Sequence, residues 1–94
     1  MIDLGAALPT ALSRLKTLPD GAVLTLLTFK RDRGVAVRRV DDGFEVREFG
    51  YRDETVLEDA DGLRKRLKGA LKREFPRSNK VHLLVDDGEE ARPR

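Results

Sequence analysis

Apolar residues recur at three- and four-residue spacing from Asp59 to Phe75. Ala60, Leu63, Leu67, Ala70, Leu71 and Phe75 form one stripe, and this is the longest helical signal in the chain. Asp59 is the expected N-cap, Gly62 is tolerable near a helix start, and Pro76 stops the segment. Leu4, Leu8, Ala11, Leu12, Leu15 and Leu18 make an earlier stripe, interrupted by Pro9. A first-turn proline is tolerated, so the main helix is expected to start at Pro9, after a short leading turn over 3–8. Leu18-Pro19-Asp20-Gly21 closes it with turn chemistry.

Between the helices the period changes to two. Residues 22–29 read as a central strand, with Val23, Thr25, Leu27 and Phe29 on one face and Leu24, Leu26 and Thr28 on the other. Residues 35–40 and 44–51 read as a hairpin. Asp41-Asp42-Gly43 would be a three-residue loop, with Gly43 left-handed and Val40 facing Phe44, Arg39 facing Glu45 and Val35 facing Phe49. Residues 52–58 read as a polar linker, with Thr55–Glu58 at capping-box spacing. Residues 80–86 alternate as a last strand, and 87–94 read as a polar tail.

The order α-β-β-β-α-β predicts an α+β domain over 1–86. Its four-stranded, mostly antiparallel sheet would have the order 3-2-1-4, with both helices on one face and the last strand parallel to the first. That arrangement leaves Leu24, Leu26 and Leu84 on a face no helix covers. Such a patch on a small domain marks a partner or a second copy of the chain.

Ninety-four residues without cysteine exclude a disulfide framework and a thiolate metal site. No apolar run approaches the roughly 20 residues a bilayer requires, and the start lacks a secretory pattern, so a cytoplasmic protein is expected. The net charge is only +2, but residues 62–82 hold eight basic residues against one acidic. The preceding residues 51–61 hold five acidic against one basic, the polarity a helix macrodipole favours. Arg64, Lys68 and Lys72 stack four apart, with Lys65 beside them, as a possible phosphate-binding row.

Catalytic chemistry finds little support. His82 is the single histidine; it lies mid-strand, and Ser78 four residues away is out of hydrogen-bond reach along an extended chain. The acidic pairs at 41–42, 53–54, 59/61 and 86–87 fall at turns and a helix start, where aspartate is favoured for backbone reasons. No phosphate-cradling glycine motif occurs, and no cofactor, metal site or small-molecule substrate is indicated.

The α-β-β-β-α order is similar to that of double-stranded RNA-binding domains, and Arg64-Lys65-Arg66-Leu67-Lys68 looks like that family's basic helix start. The likeness spans residues 9–75 and implies Arg64, Lys65 and Lys68 as phosphate contacts. The loop over 30–34 departs from the family, having neither its histidine nor its proline. Two functions follow as expectations. The first is a non-catalytic protein-interaction or regulatory module that self-associates through the open sheet face. The alternative is a nucleic-acid-binding domain using the basic face of the second helix.

Overall fold

The computed structural model describes residues 2–28, 30, 32–40, 43–50, 53–75 and 80–86. The elements run β1 (Ile2–Asp3), α1 (Leu4–Leu15), β2 (Val23–Leu27), β3 (Gly34–Val40), β4 (Gly43–Phe49), β5 (Glu54–Glu58), α2 (Ala60–Glu74) and β6 (Lys80–Asp86). The chain is thus α+β, with two helices and one six-stranded antiparallel sheet of order β1-β6-β2-β3-β4-β5.

The second helix starts where its stripe predicts. The Asp59 carboxylate accepts from the Gly62 amide at 2.7 Å, satisfying one of the orphan donors of the first turn. Leu63, Leu67, Ala70 and Leu71 are buried against the sheet, and Phe75 closes the helix beneath it. The first helix begins earlier than expected and runs through Pro9. The residue four back is Gly5, and both are exposed, so the carbonyl that proline leaves unbonded is open to water. After α1, Ala22 donates to the Pro19 carbonyl at 3.0 Å and Gly21 takes φ +83°, the third position of a type II turn.

The hairpin register is shifted by one residue from the expectation. Val40 pairs with Gly43, Arg39 with Phe44, Arg38 with Glu45 and Gly34 with Phe49. Asp41 and Asp42 alone separate the strands and lie outside the described residues. Gly43 is therefore the first residue of β4, and its φ is not positive. Its lack of a side chain serves β5 instead: a Cβ there would lie 2.5 Å from the Glu58 carbonyl oxygen.

The largest correction is β5. The segment read as a polar linker is an edge strand paired to β4, from Phe44 opposite Glu58 to Glu48 opposite Glu54. One added antiparallel strand reverses the direction from which α2 leaves the sheet. The last strand consequently lies beside β2 but antiparallel to it, with Leu24 opposite Val85 and Leu26 opposite Leu83. β1 adds a second edge, pairing Ile2 with Val81.

Both helices cover one side. Leu24, Leu26, Val35, Val37, Val46 and Val81 point to them and join Ala7, Ala11, Leu15, Leu63, Leu67 and Phe75 in one core. Leu24 and Leu26 are fully buried here, which removes them from the open face where sequence reading put them. Leu84, opposite Thr25, remains on the uncovered side. None of the helices among the described residues is long and apolar enough to cross a membrane.

Candidate interaction surfaces

Cross-strand partners share a face of a sheet, so the register defines the surface that the helices leave open. One row across it is Asp86, Val23, Arg38, Glu45 and Leu57. The next is Leu84, Thr25, Ala36, Arg47 and Thr55, and the third is His82, Leu27, Gly34 and Phe49. Leu57 is 73% exposed and Leu84 46%, while Val23, Leu27, Ala36 and Phe49 are half-buried. Charge on the face is mixed: Asp86 lies on β6, the exposed Arg38 and Arg47 lie on β3 and β4, and the half-buried Glu45 of β4 stands directly opposite Arg38. Arg47 stands over the Phe49 ring at 5.7 Å and meets Asp53 at 3.9 Å, both weak contacts that leave its guanidinium accessible.

The opposite side of the molecule is the helical layer. Arg64, Lys65, Lys68 and Lys72 are all exposed there, as the stripe requires, and none takes part in an ion pair among the described residues. The other two cations of the helix are engaged. Arg66 Nε donates to Glu58 at 2.7 Å. Arg73 forks onto the buried Glu48 carboxylate, Nε to Oε2 at 2.9 Å and Nη2 to Oε1 at 2.7 Å. That hydrogen bonding holds the Arg73 pKa above the ordinary arginine value, against a smaller opposing effect of burial. Arg33, from the β2–β3 loop, reaches the same end of α2, bonding the fully buried Glu74 at 3.0 Å and the Arg73 carbonyl at 2.8 Å. These arginines clamp α2 to the sheet and are structural.

Two clefts flank the seam between the helices. One, of about 650 Å³, lies where the end of α1 meets the start of α2 and has Leu12, Leu15, Leu63 and Phe44 below Lys16, Arg39 and Arg64. Arg39 is fixed there by the Leu18 carbonyl at 3.2 Å and Asp20 at 3.6 Å, and stands 5.9 Å over Phe44. The other, of about 470 Å³, lies at the opposite end of the seam, with Leu4, Leu8, Leu71 and Phe75 below Lys68 and Lys72. A third depression of about 540 Å³ runs along the far side of α2 past Lys65, Lys68 and Lys72, over Gly62 and Gly69.

Sequence reasoning located Leu84 and the four helix cations on the surface, and it missed Leu57, Phe49 and both clefts. Only the strand register reveals the first two. The clefts form where α1 and α2 come together, which no local sequence signal encodes. Among the described residues no group of three or more His, Asp or Glu side chains is placed to hold a metal. His82 lies on the open sheet face opposite Leu27, and Ser78 lies outside the described residues. Comparison with protein-family models, with curated proteins and with solved structures gives no match.

Proposed function

We propose that this chain is a non-catalytic interaction module that pairs with a second copy of itself through the uncovered sheet face. The observation that carries the reading is the arrangement of that face. An apolar middle of Val23, Leu27, Ala36 and Leu84 is flanked by Asp86 on β6, by Arg38 on β3, and by Glu45 and Arg47 on β4. A two-fold axis along the strands through the β2–β3 pair lays β6 of one copy over β4 of the other, so the apolar middles cover each other and Asp86 meets the β4 side chains, Arg47 as well as Glu45, with Arg38 beside them. Two such sheets pack face to face at the ordinary separation of about 10 Å.

Size-exclusion chromatography with light scattering tests it. The wild type is expected to be dimeric at high micromolar concentration. Leu84→Asp should be monomeric with an unchanged thermal melt, since Leu84 contributes to no core in the monomer. Arg38→Glu should weaken the dimer, and Arg38→Glu with Asp86→Arg should restore it. A strictly monomeric wild type would sink the proposal.

A further inference from the structure

We infer that the α1–α2 seam is a docking groove for an acidic amphipathic helix of a protein partner. This deepens the interaction reading but uses the opposite side of the molecule from the sheet face. Three observations converge on that occupant. First, Arg64, Lys68 and Lys72 advance along α2 in steps of about 6 Å and stay within an arc of about 80°, so they form one straight rim. No carboxylate lies between Asp61 and Glu74 in the helix, and Glu74 is buried against Arg33. Second, the rim borders two leucine-floored clefts, and no carboxylate lines either of them among the described residues. Third, the clefts are spaced for a helix. Leu63 in one and Leu71 in the other are eight residues apart on α2, about 12 Å along its axis. A partner helix lying along the seam reaches both with apolar residues at i and i+7 or i+8, and its carboxylates at the flanking positions meet the cationic rim.

The alternatives use only part of this surface. A nucleic-acid duplex would take up the cations, but phosphates gain nothing from leucine-floored clefts, and no aromatic side chain on α2 is exposed for stacking among the described residues. An anionic bilayer needs protruding apolar side chains beside the cations. Among the described residues the exposed large apolar side chains, Leu57, Leu84 and Val85, all lie on sheet strands.

The probe is a synthetic peptide with leucines at i, i+3, i+4 and i+7 and glutamates elsewhere, titrated into the full chain at neutral pH. Binding is read by fluorescence anisotropy and helix formation by far-UV circular dichroism. Saturable micromolar binding with a gain of helicity is expected. Lys68→Glu with Lys72→Glu, both at exposed positions and so of small effect on the fold, should weaken it about tenfold or more. A peptide of equal charge with leucines changed to alanine should bind at least tenfold more weakly still. Arg38→Glu, on the sheet face, should leave peptide affinity unchanged while it weakens dimerisation, so failure of either surface is read separately. Equal binding of a scrambled peptide, indifference to the lysine reversals, or preference for a DNA or RNA duplex or for phosphatidylserine vesicles would overturn the assignment.

Discussion

Replacing Arg73 by alanine isolates what holds the end of α2 to the sheet. In the folded chain Glu48 is 3% exposed, and its carboxylate is satisfied by the forked Arg73 bonds. Glu54 lies directly opposite Glu48 on β5, and both Glu54 and Glu74 act electrostatically on the Arg73 guanidinium. Removal of the arginine thus leaves a buried charge among like charges. Breaking a buried pair from one side typically costs about 3–5 kcal/mol, where an exposed pair is worth about 0–1. A chain of 94 residues has a total stability of about 5–14 kcal/mol, so the loss is a large share of it. At about 1–3 kcal/mol per molar urea, the midpoint should fall by about 1 M or more. The raised Arg73 pKa means the arginine's contribution is fully present at neutral pH and is lost only as pH rises through its folded-state value. The diagnostic variant is Arg73→Met with Glu48→Leu, which removes both charges and keeps volume. It should recover to within about 1 kcal/mol of wild type, because a buried pair exchanged for apolar groups is often neutral. A loss below about 1 kcal/mol in Arg73→Ala, or single and double variants that simply add, would show that Glu48 is hydrated and that the clamp is a surface pair.

Leu67, fully buried at the centre of the α2 stripe, should cost about 2–5 kcal/mol when changed to alanine, read as a lowered urea midpoint; an unchanged midpoint would put the wrong face of α2 on the sheet. Two glycines should respond oppositely in thermal melts. Gly43→Ala places a Cβ 2.5 Å from the Glu58 carbonyl and should destabilise by loosening β5, whereas Gly69→Ala meets only the Arg73 guanidinium, at an ordinary contact distance of 3.4 Å, and should stabilise α2 by up to about 1 kcal/mol.

The helix α2 was legible in the sequence because one segment carries its own stripe, cap and stop, all local signals. Edge strand β5 was not, for a physical reason. Val56 is the one residue of Glu54–Glu58 that both faces the helices and is apolar, and the strand's ends are glutamates, so its pattern is that of an exposed connection. Its pairing is fixed by β4, where Gly43 admits the Glu58 backbone. That omission propagated. Strand count sets the direction of β6, and the direction of β6 sets which of its residues share a face with Leu24. With Leu24 opposite Val85 and Thr25 opposite Leu84, the leucines expected together on the open face fall on opposite sides of the sheet. Both faces of β2 carry apolar residues, so its own alternation does not tell which side the helices take.

The basic block of residues 62–82 shows how a composition signal divides once geometry is known. Arg66 and Arg73 point back over the sheet and meet Glu58 and Glu48, and at both positions the residue is arginine. A planar guanidinium with a rigid fork suits a fixed carboxylate, and its long stem covers apolar surface on the way. Three of the four outward positions are lysine, whose compact ammonium is best hydrated and ranges over many rotamers. The buried and half-buried carboxylates therefore take up the arginines that hold the fold, and the cations left for a partner are mainly the mobile ones. A mobile cationic rim discriminates poorly by geometry alone. Selectivity at the α1–α2 seam must then come from the shape of the two leucine-floored clefts, with charge setting the sign of the partner and the speed of encounter.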